Sequence, residues 1–158
     1  MAVDPAADRI VRTVREKLAE VEVRSPEPAS EGEVTELATR LKRRWSADLP
    51  YSYMNILRAS NGLGYDGVLL FGARPFLDPP DDEYPTVPGL MEENERMRID
   101  GVEIPGTICF GTDGYSYFVL RRSDSAFVQY AADARKQLKV FESFDDMLAE
   151  MFKSATEE

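Results

Sequence analysis

The chain predicts an α+β fold, on three observations. Residues 5–60 hold segments of helical period, Thr107–Phe141 holds short apolar runs separated by turn signals, and residues 143–152 return to helical period. Helices, then strands, then a helix give an antiparallel sheet with helices gathered around it, not alternating βαβ units. The expected architecture is an antiparallel β-meander flanked by N-terminal helices and a C-terminal helix.

The first helix is expected over Pro5–Glu22. Asp4 supplies an N-cap acceptor, Pro5 is pre-set for the first turn, and Ile10, Val14, Leu18 and Val21 recur at spacings of three or four. Arg24–Ser30, with two prolines, reads as a linker. Ser30 and Glu33 form a capping-box pattern ahead of an apolar stripe of Val34, Leu37, Ala38, Leu41 and Trp45. Lys42-Arg43-Arg44 closes that helix, where cations complement the dipole, although such a cluster also suits an anion. Trp45 reads as a core anchor or a stacking platform. Asp48-Leu49-Pro50 opens a third helix that faces Tyr53, Ile56 and Leu57 inward and ends at Asn61-Gly62, a pair suited to a left-handed cap.

Asn61–Gly72 (NGLGYDGVLLFG) is the corner of the scaffold. Gly64 and Asp66-Gly67 supply turn freedom, and Val68–Phe71 is a short apolar run bounded by glycines, which reads as a buried strand. The glycines precede the strand and no Lys-Ser/Thr follows them, so the corner does not have the pattern of a phosphate cradle. Leu90–Arg98 predicts a short helix. Thr107–Gly111 and Tyr115–Arg121 predict a hairpin across Thr112-Asp113-Gly114, with Ile108 and Phe110 on one face of the first strand. Tyr115, Tyr117 and Val119 share one face of the second, and Phe118 and Leu120 the other. Phe127–Ala131 and Leu138–Phe141 complete the meander. Ser143 then caps a helix with Asp145 and Asp146 in its first turn and Phe144, Met147, Leu148, Met151 and Phe152 on its buried side.

Length and composition set further bounds. At 158 residues the chain reads as one domain, able to bury roughly 68–70% of its unfolded surface without a disulfide or metal staple. The single Cys109 forbids an internal disulfide, the N-terminus lacks the basic and apolar regions of a secretion signal, and no apolar run approaches the ~20 residues of a membrane span. A cytoplasmic location is expected, with no membrane partner.

Net charge is −10, so nucleic acid would be repelled and a cationic partner attracted; the same acidity also keeps a protein soluble. The charge is concentrated. Leu77–Glu103 holds nine acidic and two basic residues, a net −7, and Pro79, Pro80, Pro85 and Pro88 keep its first half irregular. There is no histidine, which excludes Ser-His-Asp and Cys-His nucleophile systems and histidine metal sites. Carboxylate chemistry remains, but Glu92, Glu93 and Glu95 on one short helix point to different faces and do not make a facing acid–base pair. Asp81, Asp82 and Glu83 lack the spacing of a calcium loop. Cys109, between Ile108 and Phe110 with no basic neighbour, reads as a buried inert thiol.

Leu49-Pro50 with Tyr53, leading a helix into Asn61-Gly62 and then a strand, resembles the SUKH superfamily. That group takes in the Smi/Knr cell-wall regulators of yeast and many small bacterial proteins. Four pieces are similar to its bacterial YrhA-like branch: NGLGYDGVLLFG (61–72), ENERMR (93–98), FGTDGYSYFVL (110–120) and FESFDDMLAEM (141–151). The likeness runs from Trp45 to Phe152. On this reading residues 1–158 form a single SUKH-like domain, with an N-terminal helical extension (about 1–30) and a proline-acidic loop insertion (about 73–89). The resemblance implies strands flanked by helices, no catalytic residues and no cofactor. Many bacterial members look like immunity proteins, made beside a polymorphic toxin and bound to its nuclease or deaminase domain; others act as scaffolds in secretion or cell-wall synthesis.

The expected function is therefore a non-catalytic, cytoplasmic immunity protein that binds a basic cognate toxin domain, with no metal and no nucleic-acid partner. The alternative is a regulatory or adaptor scaffold linked to secretion or cell-wall synthesis. The candidate contact surface comprises Asp78, Asp81, Asp82, Glu83, Glu92, Glu93 and Glu95, with Tyr84 as an aromatic anchor. The sequence leaves the oligomeric state open.

Overall fold

A computed structural model describes residues 5–157. Asp4, the expected cap of the first helix, lies outside the described residues. Helices α1 (Pro5–Glu20), α2 (Glu31–Trp45) and α3 (Tyr51–Ala59) lead into strands β1 (Leu63–Tyr65) and β2 (Val68–Leu70). Helix α4 (Leu90–Ile99) follows, then β3 (Thr107–Thr112), β4 (Ser116–Arg121), β5 (Ala126–Ala131) and β6 (Gln137–Phe141), and finally α5 (Phe144–Met151) and the short α6 (Lys153–Thr156). The strands form one antiparallel sheet in sequence order, β1 to β6, so the α+β meander is the architecture of the protein.

Local chemistry accounts for most element ends. Ser30 Oγ accepts the Glu33 N–H at 3.1 Å while the Glu33 carboxylate accepts the Ser30 N–H at 2.8 Å, the reciprocal capping box. Ser143 Oγ accepts the Asp146 N–H at 3.1 Å. In the β3–β4 hairpin Asp113 Oδ1 accepts from the N–H groups of Tyr115 and Ser116 at 2.9 and 2.7 Å, and Gly114 is left-handed. Tyr115, expected within the strand, stands in the turn and is exposed. Tyr117 and Val119 occupy one face of β4, Phe118 and Leu120 the other, as the alternation predicts.

Three differences from the sequence reading have physical causes. The helix expected to reach Glu22 ends at Glu20, because Glu22 turns left-handed and Val21 is exposed instead of completing the stripe. Leu63–Tyr65, read as part of a turn, is a strand: Asp66 and Gly67 are both left-handed and make a two-residue hairpin that pairs Tyr65 with Val68. Helix α3 is not capped by Asn61-Gly62; it ends at Ala59, and Ser60 is extended with its N–H on Ile56 O. Asp48-Leu49-Pro50 leads into α3 as read, with Pro50 at the N-cap position and the Asp48 carboxylate accepting from Lys42 Nζ at 3.2 Å.

The core lies between one face of the sheet and α3 and α5. Tyr53 meets Phe110 edge-on at 5.0 Å, and Phe144 of α5 lies 5.7 Å from both rings and 5.8 Å from Phe127. Such pairs contribute about 0.5–1.5 kcal/mol each beyond their buried area. The Tyr53 hydroxyl, fully buried, donates to Phe71 O at 2.6 Å, which fixes α3 against the end of β2. Helix α1 packs on α3, α5, α6 and β1 through Ala7, Ile10, Val14 and Leu18. No helix among the described residues is long and apolar enough to cross a membrane.

Strand β2 is too short to cover β3. It pairs only with Gly111 and Thr112, and Phe71 N–H reaches Phe110 O just beyond. Asn94 of α4 fills the next place: its Nδ2 donates to Cys109 O and its Oδ1 accepts the Cys109 N–H, both at 2.8 Å. The buried carboxamide thus acts as one more peptide in the ladder. Replacing Asn94 with Ala strands a buried N–H and C=O. The expected loss is about 2 kcal/mol or more, read from urea denaturation; a loss under about 0.5 kcal/mol would contradict the role.

Candidate functional site

The proline-acidic segment is held at its base by the corner that precedes it. Asn61 is fully buried, and its Oδ1 accepts the N–H groups of Ala73 at 2.7 Å and Arg74 at 3.3 Å while Nδ2 donates to Arg74 O at 2.9 Å. Gly62 beside it is left-handed (φ 86°), and a Cβ there would come within 2.6 Å of Leu70 O, so only glycine lets the chain pass so close. Gly72 N–H donates to Pro88 O, and Leu90 N–H to Gly72 O. Phe76 and Val87, both buried, form a bridge that closes the loop. Thr86 Oγ1 accepts the Asp78 N–H at 3.2 Å. Segment 73–78 is thereby tied to 86–89, and residues 79–85 project beyond it.

Two residues from outside the segment complete the base. Arg24, in the linker, lies over the Phe76 ring at 4.9 Å, 3.9 Å from the Asp78 carboxylate and within 3.4 Å of Leu77 O. Arg74 pairs with Glu33, the capping-box residue of α2. The backbone N–H of Ser30, and beyond it the Arg74 guanidinium, hold the Glu33 carboxyl below the usual carboxylate range.

The predicted contact residues separate into three environments. Asp81, Asp82 and Glu83 lie at the exposed tip, and among the described residues none has a cationic partner. Tyr84 beside them is 73% exposed. Asp78 sits at the base against Arg24. The α4 carboxylates are all engaged: Glu92 with Arg40 of α2 at 3.5 Å, Glu93 with Arg96 at 2.6 Å, and Glu95 with Arg98. Arg96 also reaches Asp100 at 2.7 Å. The Arg98 guanidinium holds the Glu95 carboxyl below its ordinary value, and the Glu93 side chain is only 16% exposed. The patch that looks continuous along the sequence is an uncompensated tip plus a neutralised helix. Arg24 and Arg40 were not apparent as its partners, because they belong to other elements.

Other singled-out residues have structural partners. Arg44 lies 5.5 Å from the centre of the Trp45 ring, and Trp45 is half-buried beside Leu49 and Phe127. A shallow depression of about 560 Å³ lies between α2 and α3, lined by Val34, Ala38 and Met54 with Lys42, Arg43 and Arg58 at its rim. No three carboxylate or thiol groups among the described residues converge as a metal site requires. Cys109 is buried, and burial pushes its thiol up to about 12.

Two outcomes follow from these environments. The Cys109 thiol should stay unreactive toward a thiol reagent at pH 8 until urea unfolds the chain; rapid labelling of the native protein would contradict its burial. A carboxyl with a lowered folded pKa stabilises above its unfolded pKa, 4.5 for Glu33, and loses that contribution as pH falls through the folded value. The stability difference between wild type and Glu33→Gln should therefore be full at about pH 7 and shrink at about pH 3, read from urea denaturation at both. An equal difference at the two pH values would rule out the carboxylate's part.

Neither a protein-family model nor a curated protein matches this chain. Among solved structures it is similar to a protein from Pseudomonas syringae pv. tomato known from a crystal structure, with a TM-score of 0.60 at 16% identity over 93% of this chain and 98% of that one. At that identity the likeness is one of fold, and it extends over nearly the whole of both chains.

Proposed function

We propose that this chain is a non-catalytic protein-binding domain of the SUKH type, a cytoplasmic immunity protein that binds and neutralises a basic, nuclease- or deaminase-like toxin domain. The observation that supports this reading is the loop tip. Asp81, Asp82, Glu83 and Tyr84 project from a base pinned by Asn61 and by the Phe76–Val87 bridge, and no cation in the described chain compensates the three carboxylates. A fixed base limits the entropy lost when such a loop is captured. Unpaired carboxylates next to an exposed tyrosine suit a cationic cleft, with the charge steering approach and the ring supplying buried area. Glu92, Glu93 and Glu95, already neutralised by arginines, contribute little to that field on this reading; Asp78 orients the base.

The test begins with affinity capture of the tagged chain from its source cells and mass spectrometry of what elutes. A stoichiometric toxin-like partner is the expected outcome, and recovery of secretion or envelope machinery would replace this reading with the adaptor scaffold. With the partner in hand, the combined Asp81→Asn, Asp82→Asn and Glu83→Gln substitutions should weaken binding about tenfold or more at low salt and flatten its salt dependence. Unchanged affinity at low salt would remove the loop tip from the interface.

A further inference from the structure

The end of α2 brings Trp45 to a second depression, of about 440 Å³, which no residue of the proline-acidic segment lines. Trp45, Pro50, Leu120 and Phe127 form its apolar walls, where α2 runs into α3 beside the β4–β5 turn. Three polar groups share the space: the guanidinium of Arg122 and the hydroxyls of Ser46 and Ser125. Among the described residues none of these three side chains has a hydrogen-bond or ion-pair partner. Arg121, next in the chain, differs: its guanidinium is taken up by Asp124, Tyr130 and Gln137. The backbone around the unpartnered groups is nevertheless fixed, with Ser46 N–H on Lys42 O at 2.8 Å and Arg122 N–H on Gly106 O at 2.9 Å. Ser46 and Ser125 are both left-handed, at φ 54° and 58°. Glycine adopts that conformation without steric cost, so the chain keeps a hydroxyl at each of two positions where the backbone favours glycine. Asp48 also lines the depression, but its carboxylate accepts from Lys42 Nζ. Lys42, Arg43 and Arg44 in the last turn of α2 offset the negative end of its dipole.

We propose that this depression is a binding site for a small aromatic carboxylate, its ring against Trp45 and Phe127 and its carboxylate on Arg122, Ser46 and Ser125. All three unpartnered groups are donors and one is a cation, so the single group that satisfies them together is an anionic acceptor. A carboxylate meets the guanidinium fork with two parallel hydrogen bonds and keeps lone pairs for the hydroxyls. The walls supply the rest of the recognition. Two aromatic rings, a leucine and a proline favour a flat apolar body, through burial and through offset or edge-on ring contacts. A bare anion would leave those walls unused. A volume of about 440 Å³ lies within the range of small-molecule sites. The site shares no lining residue with the acidic tip, so the chain alone should bind such a ligand, with or without a protein partner.

Titration of the full chain with naphthylacetate, followed in proton–nitrogen correlation spectra, tests this directly, because Trp45 is the chain's single tryptophan and gives one indole N–H signal. That signal and the amides of Ser46 and Ser125 should move saturably, with a dissociation constant of about 1 mM or below. Naphthylacetamide, the same body without the charge, should bind about tenfold or more weakly. Arg122→Gln, at an exposed position, should weaken the acid by about the same factor and leave the amide unaffected. Ser46→Gly with Ser125→Gly should weaken the acid about threefold or more while the urea midpoint holds level or rises, because glycine relieves both left-handed residues. No saturable shift up to about 10 mM, or shifts confined to other parts of the chain, would overturn the proposal. Equal binding of acid and amide, or binding indifferent to Arg122→Gln or to the paired glycine substitutions, would overturn it equally.

Discussion

The carboxamide of Asn61 is the constraint on which the rest of the structure depends. It is buried where α3, the β1–β2 hairpin and the start of the proline-acidic segment meet, and it satisfies three backbone groups of Ala73 and Arg74. Its own N–H donates to Glu27 O, which brings in the linker, and Ser60 beside it accepts from Arg15 of α1 at 3.0 Å. A chain that turns so sharply inside a core must satisfy every peptide it buries, and here side chains do so where no strand is available. Asn94 performs the same service at Cys109. Between them these two amides let a three-residue strand, β2, sit at the centre of a stable corner.

That corner determines what the acidic segment presents. With Gly72, Phe76, Val87 and Leu90 hydrogen-bonded at its base, the prolines and carboxylates between them are held out from the body instead of folding back on it. The electrostatics then divide cleanly. On α4 every carboxylate of the predicted surface meets an arginine within reach, while at the tip none does. Surface ion pairs of this kind contribute little to stability, about 0–1 kcal/mol each, but they cancel field, so among the predicted contact residues the uncompensated charge lies at Asp81, Asp82 and Glu83.

The sheet is finished with the same asymmetry. Its β1 edge is built into the helical layer, so the apolar side chains there have partners within the chain. Its β6 edge has no strand beyond it, a register shift opposite Gln129 and Tyr130 interrupts its regular pairing, and Lys139 is drawn to Glu150 on α5.

The helices, the β3–β4 hairpin, the capping box of α2 and the α+β order were legible because each is fixed by residues within a few positions of one another. Ser30 and Glu33, Asp113 and Gly114, and the repeat of Phe144, Met147, Leu148 and Met151 state their structure locally. What the sequence by itself determined is thus the inventory of elements, their order, and the placement of excess negative charge between residues 77 and 103. Only the tertiary structure decided that Asn61 clamps the loop instead of capping a helix, that Leu63–Tyr65 is a strand, that Arg24 and Arg40 neutralise Asp78 and Glu92, and that β6 is left open. Each of these depends on groups brought together from distant parts of the chain, and local periodicity holds no record of which peptide or charge a side chain will meet once the core has closed.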